Sequence, residues 1–168
     1  MPLLSEPLML APVLVLALGH LYGKDHRLCD RRLFTNLTFC ALAALTANLL
    51  TQAVKYLAGR GRPLYSLSDI WYYDAADLWR ETPDNYIPEQ TELAVSFFSA
   101  HASTTMALAT ALGLCFAPLR AWVWLIPALC GYSRVYMGMH YPSDVLVGWA
   151  SGAIVAWGLW WVRPRRGL

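Results

Sequence analysis

Charge is scarce in this sequence. Of its 168 residues only 14% are charged, while 57% are hydrophobic; a soluble domain carries roughly 25% and about 45–50% respectively. The surplus of basic over acidic groups is only +2, and no basic stripe with interleaved aromatics is present, which excludes a nucleic-acid partner. Cysteine is limited to four residues, Cys29, Cys40, Cys115 and Cys130, with no close pair and no C-x-x-C spacing. That excludes a disulfide scaffold and leaves them as small hydrophobes in a packed interior. Internal repeats and low-complexity tracts are absent, and so is a signal-peptide pattern: nothing basic precedes the first apolar run, and Lys24 follows it. What the chain has in abundance is apolar length. It reads as a single membrane-embedded domain, residues 1–168.

Five stretches are long enough to cross roughly 30 Å of hydrocarbon: about 5–22, 33–57, 93–117, 120–138 and 142–162. The fold class expected is therefore all-α, a polytopic membrane helix bundle of about five transmembrane helices. The first stretch, an uncleaved span, is interrupted by Glu6, Pro7 and Pro12, and the fourth carries Pro127 in mid-run, where a kink is expected. Two connections are short and one, about 58–92, is long and polar. If five spans alternate, Lys24, Arg27, Arg31, Arg32, Arg120, Arg163, Arg165 and Arg166 share one side, and nine of the acids share the other. The positive-inside bias then puts the N-terminus outside and the C-terminus in the cytoplasm, with the long loop facing outward from the cell membrane. Its aromatics (Tyr65, Trp71, Tyr72, Tyr73, Trp79 and Tyr86) fit either an interfacial belt or a wall around a lipid headgroup. Gly148-x-x-x-Gly152 permits close helix approach, within one chain or between two, and assigns no oligomer.

Alternating topology brings a distinctive polar set to one membrane face: Lys55 at the end of span two, Arg62 beyond it, Ser99 and His101 early in span three, Arg134 late in span four, and His140 and Asp144 at the start of span five. Each has an ordinary alternative, such as a snorkelling lysine or an arginine paired with a loop acid. Jointly they do not, since the three cations have no three acids close in sequence. Three cations suit a multiply charged anion, and phosphate fits. Pro142 suits a first helical turn, so Asp144 can fix the tautomer of His140 and leave its other nitrogen nucleophilic, while His101 serves as general acid. The N-terminal end of span three supplies backbone N–H groups for phosphate oxygens. These parts make a phosphoryl-transfer site that needs no metal and no cofactor.

The residues resemble the type 2 phosphatidic acid phosphatase superfamily of membrane lipid phosphate phosphatases. Its K-x6-R-P motif reads Lys55 to Arg62-Pro63, its P-S-G-H motif reads Phe98-Ser99-Ala100-His101, and its S-R-x5-H-x3-D motif reads Ser133-Arg134 to His140 and Asp144. The resemblance spans about residues 50–150, the catalytic portion. It implies a phosphatase whose partners are a lipid phosphate and the bilayer. His140 would be the nucleophile forming a phosphohistidine, Asp144 its orienting acid, and His101 the proton donor to the lipid hydroxyl. Lys55, Arg62, Ser99, the Ala100 N–H and Arg134 would hold the phosphate. Phe98 and Ala100 depart from the family's proline and glycine. Ala100 suits the role if its backbone is helical and would be strained at positive φ.

Substrates in view are phosphatidylglycerol phosphate, phosphatidic acid, undecaprenyl diphosphate and a lipid A phosphate, among which the sequence does not choose. The acidic loop favours a cationic or sugar-bearing headgroup. The alternatives are a phosphotransferase using the same intermediate, a zinc hydrolase built on His101, His140 and Asp144, and a non-enzymatic anion transporter, which would place its charges nearer the midplane.

Overall fold

The computed structural model describes residues 31–63, 71–74, 78–81 and 95–163. The expected first span, 5–22, lies outside them. Four helices form the described bundle: α1 (Arg31–Ala58), α2 (Ala100–Cys115), α3 (Leu125–Tyr136) and α4 (Pro142–Val162). Two segments, Thr35–Ala58 and Pro142–Val162, are long and apolar enough to cross a membrane.

Helix α2 is the axis of the bundle and packs against the other three. Its sequence explains this position, because Ala107, Leu108, Ala109, Thr110, Ala111, Leu112 and Gly113 are all buried, so the helix is covered all round. The surrounding helices turn small residues inward and large apolar ones outward. Ala43 and Ala47 of α1 and Ala156 of α4 are fully buried, whereas Leu42, Leu45 and Leu49 of α1 and Ile154, Trp157 and Trp161 of α4 are exposed. That inversion suits lipid as solvent, where close backbone approach drives helix association. The Gly148/Gly152 face is spent inside the chain: a Cβ at Gly152 would stand 2.1 Å from the Ser103 carbonyl oxygen of α2. Cys40 and Cys130 are buried and Cys115 half-buried, as core residues; Cys29 lies outside the described residues.

Spans two and five match the helices α1 and α4 closely, and spans three and four do not. The segment expected to be helical from 93 is not helical at 95–99, because its backbone is already paired: Ser96 N–H donates to the Arg60 carbonyl at 2.6 Å and Val95 bridges Gly61. Helix α2 begins only where the Ser99 hydroxyl caps it, accepting from the Ala102 N–H at 3.3 Å. Residues 117–119 form a 3-10 turn, and the fourth stretch opens with further turns at 120–124 before α3 starts at Leu125. Pro127 therefore sits in a first turn, where its missing N–H costs little, and the expected mid-span kink is unnecessary. The long connection also holds an antiparallel hairpin, β1 (Trp71–Asp74) with β2 (Leu78–Glu81), in which Trp71 faces Glu81 and Asp74 faces Leu78. An all-α reading misses it.

Candidate active site

The C-terminal ends of α1 and α3 meet the N-terminal ends of α2 and α4 at one end of the bundle. Two left-handed glycines bring them there. Gly59 (φ 57) stops α1 and Gly138 (φ 66) stops α3, as helix-terminating glycines do. After Gly138 the chain reverses through Met139, His140 and Tyr141, and Pro142 opens α4. Asp144, in the first turn of α4, reaches back to accept the Tyr141 N–H at 3.1 Å, a capping-box contact. The Ser99 N–H donates to the Asp144 carbonyl at 3.2 Å, which ties the start of α2, and His101 two residues on, to the start of α4.

Asp144 is the fully buried hub of this end. Its Oδ1 accepts from Arg60 Nη1 at 2.8 Å, and its Oδ2 accepts a very short hydrogen bond from the Ser96 hydroxyl. Arg60 also stacks over the Tyr141 ring, 4.1 Å from its centroid, and reaches the Ser143 hydroxyl at 3.3 Å. The expected direct hydrogen bond from His140 to Asp144 is not formed. Nδ1 lies 3.8 Å from Oδ2, beyond hydrogen-bond range, and 3.4 Å from Ser96 Oγ, which itself donates to Oδ2. His140 itself is buried. Burial pushes its basicity down to about 3, assisted by the positive charges of Lys55, Arg62 and Arg134, so its imidazole is neutral at physiological pH.

The three expected cations thus do converge on His140. Arg62 donates to the Met139 sulfur at 3.4 Å and to the Val95 carbonyl at 3.5 Å. Arg134, buried in the last turn of α3, donates to the Met137 sulfur at 3.6 Å. Lys55 lies on the last turn of α1, within electrostatic reach of Arg62 and Asp144. Ser99 is spent as acceptor of the α2 cap, yet its hydroxyl proton remains able to donate. Ala100 is the first helical residue of α2, so the backbone there is right-handed and alanine is unstrained, which answers the question raised by the departure from glycine. His101 is exposed in the first turn of α2, its carbonyl taken by Thr105 Oγ1 at 2.7 Å.

Two residues at this end escaped the sequence reading. Arg60 is not among the candidate residues, although the glycines on either side mark it as part of a shaped turn. Ser96 gave no signal at all.

The family model described as the PAP2 superfamily matches residues 36–168, and the chain belongs to that superfamily. It is similar to phospholipid phosphatase 2 of Mus musculus, 31% identical over 185 aligned positions that cover 92% of this chain and 65% of the mouse protein. It is similar also to the decaprenylphosphoryl-5-phosphoribose phosphatase of Mycobacterium tuberculosis, 42% identical over 80 residues, 45% of this chain and 44% of that one. The chain therefore spans less than two thirds of the length of either relative. Among solved structures it superposes on the transmembrane PAP2-type phosphatidylglycerolphosphate phosphatase of Bacillus subtilis with a TM-score of 0.60, at 19% identity, over 98% of this chain and 73% of that one. That likeness is one of fold. Among the described residues two helices have the length and apolar composition of membrane spans.

Proposed function

We propose that the protein is a phosphatase that hydrolyses a phosphate ester or anhydride carried by a membrane lipid, through a covalent phosphohistidine and without metal. The observation that carries this reading is the state of His140: a neutral, buried imidazole braced on one side by Ser96 and Asp144 and ringed by Lys55, Arg62 and Arg134. A neutral imidazole is a nucleophile, and three cations favour the dianion it attacks and the charge that spreads over its equatorial oxygens in the transition state.

In the first step Nε2 of His140 forms a bond to phosphorus as the bond to the lipid oxygen breaks. Protonated His101 gives its proton to the departing alkoxide. In the second, neutral His101 takes a proton from water, the water oxygen bonds to phosphorus, and the N–P bond breaks to release inorganic phosphate. Lys55, Arg62 and Arg134 hold the equatorial oxygens, with the Ser99 hydroxyl and the Ala100 N–H at the positive end of α2. The relatives' names all describe a phosphate borne by a lipid, which supports that substrate class. The excess of basic residues at the opposite end supports an outward-facing site, with the C-terminus in the cytoplasm.

The test is phosphate release by detergent-purified protein from a panel of lipid phosphates and diphosphates in the presence of EDTA, beside His140→Ala. Release that persists in EDTA and vanishes in the variant is expected. Release that EDTA abolishes, or that survives in His140→Ala, would overturn the mechanism. A newly phosphorylated acceptor in place of free phosphate would make the protein a transferase.

A further inference from the structure

We infer that Ser96 is a positioning residue through which Asp144 sets the tautomer of His140, a role the family motifs in this chain do not assign to it. The inference rests on the reading that His140 is the nucleophile.

Asp144 is a carboxylate paired with Arg60, and a carboxylate only accepts hydrogen bonds. Its Oδ1 is taken by Arg60 at 2.8 Å, and its Oδ2 by the Tyr141 N–H at 3.1 Å and by the Ser96 hydroxyl. The hydroxyl has a single proton, and that proton is on the bond to Asp144. Toward His140 Nδ1, 3.4 Å away, Ser96 therefore presents only lone pairs. A hydrogen bond there requires the proton to be on Nδ1. A neutral imidazole protonated at Nδ1 has a bare Nε2, the nitrogen that must attack phosphorus. The carboxylate thus acts on the nucleophile without touching it.

Ser96 is built for such a task. It is fully buried, its N–H is tied to the Arg60 carbonyl at 2.6 Å, and the neighbouring Val95 bridges Gly61. The same turn that carries Arg60 to one oxygen of Asp144 thereby fixes the backbone of the residue that donates to the other. The charged groups facing the His140 ring are Lys55, Arg62, Arg134 and Asp144; the cations oppose a second proton on the ring but do not choose between its nitrogens. The Ser96 hydroxyl, 3.4 Å from Nδ1 and nearer to it than Asp144 at 3.8 Å, makes that choice, beside the Ser96 carbonyl that also bears on the ring.

The experiment is 15N NMR of histidine-labelled full-length protein in detergent, with the His140 resonances identified by their loss in His140→Gln. The expected wild-type spectrum shows a neutral ring protonated at Nδ1. Ser96→Ala removes the hydroxyl acceptor and leaves the Ser96 carbonyl, which also bears on the ring; with the hydroxyl gone the His140 signals are expected to move toward the Nε2-protonated form, with kcat down at least about tenfold, KM changed by less than about threefold, and activity partly recovered in Ser96→Thr, which keeps the hydroxyl. A wild-type ring protonated at Nε2, or a Ser96→Ala protein whose ring stays protonated at Nδ1 and turns over at the wild-type rate, would overturn the inference. An Nε2-protonated wild-type ring overturns the inference even if Ser96→Ala does not fold, and Ser96→Cys, whose thiol is a weaker acceptor, then carries the test of Ser96 itself. The wild-type spectrum is also independent of catalysis, so failure to release phosphate from any lipid would count against the proposed function and not against this assignment.

Discussion

Replacing Gly152 with alanine should separate the two helices on which the site is built. A Cβ at this position would lie 2.1 Å from the Ser103 carbonyl oxygen, 2.9 Å from the Ala107 nitrogen and 3.0 Å from the Ser103 carbonyl carbon. All three are backbone atoms of α2, so no side chain can swing aside. Ordinary contact begins near 3.4 Å, and α4 must therefore retreat by about 1.3 Å or tilt to the same effect. A gap of 0.5–1 Å already forfeits roughly a quarter to a half of each contact's dispersion energy. Overpacking a close interface typically costs about 1–3 kcal/mol, and the rigid neighbours place this site at the upper end. Alanine recovers about 1 kcal/mol of helix propensity over glycine, which leaves a net loss of about 2 kcal/mol.

Gly158, on the same helix, is the internal control. Nothing lies within 4 Å of its prospective Cβ, so Gly158→Ala gains the propensity without the clash. At roughly 2–4 °C per kcal/mol for a chain of this size, Gly152→Ala should lower the unfolding midpoint by about 4–8 °C, and Gly158→Ala should raise it slightly. The assay is thermal unfolding in detergent, followed with a dye that becomes fluorescent on reacting with Cys40 and Cys130 as they emerge from burial. The displacement also stretches the 3.2 Å hydrogen bond from Ser99 N–H to the Asp144 carbonyl, so turnover should fall at temperatures where the protein is still folded. A Gly152→Ala protein that unfolds no earlier than Gly158→Ala would refute the packing argument.

Ala100→Pro tests the phosphate cradle, because proline suits the first helical position and the extended Ser99 (φ −69, ψ 112) suits a residue before proline. The fold should survive within a few degrees of midpoint, while loss of one N–H to the substrate lowers kcat/KM by about tenfold or more in the phosphate-release assay. Stability should also fall with acidity in a manner that depends on His140. Its folded basicity lies near 3 and its unfolded value near 6.5, so below about pH 6.5 the unfolded state takes up a proton that the folded state refuses, and stability is lost as pH falls from there toward 3. Between pH 7 and 5 this amounts to ~2 kcal/mol. Midpoints measured across that range should drop less steeply in His140→Asn than in the wild type, and equal slopes would contradict the assignment.

Where sequence and structure agree, a local signal was sufficient. Helix α4 begins at Pro142 and runs through an unbroken apolar stretch, so its bounds need no knowledge of its neighbours. Helix α2 differs because its start is decided from a distance: the N–H of Ser96 goes to Arg60, and hydropathy is blind to a hydrogen bond made far along the chain. The hairpin gave no turn signal either, since Ala75, Ala76 and Asp77 between its strands include neither glycine nor proline, and its aromatics read equally well as a membrane belt.

The same distinction runs through the site. Motif spacing at helix ends suffices to gather Lys55, Arg62, Arg134 and His140, because a membrane crossing returns the chain to one face whatever the packing between. Counting charges there reaches a limit at Arg60. It has the same formal charge as its neighbours, but its guanidinium is committed to Asp144 and to the Tyr141 ring. The site therefore contains two kinds of cation, one that braces the carboxylate behind the nucleophile and a set that surrounds the nucleophile itself. That division is made by the left-handed turn at Gly59, which sends Arg60 toward α4 while Arg62 turns to the carbonyl of Val95 and the sulfur of Met139. Two arginines two residues apart thus take different partners, one the carboxylate and the other the loop that carries the imidazole, and the glycines between and before them are what allow the chain to do so.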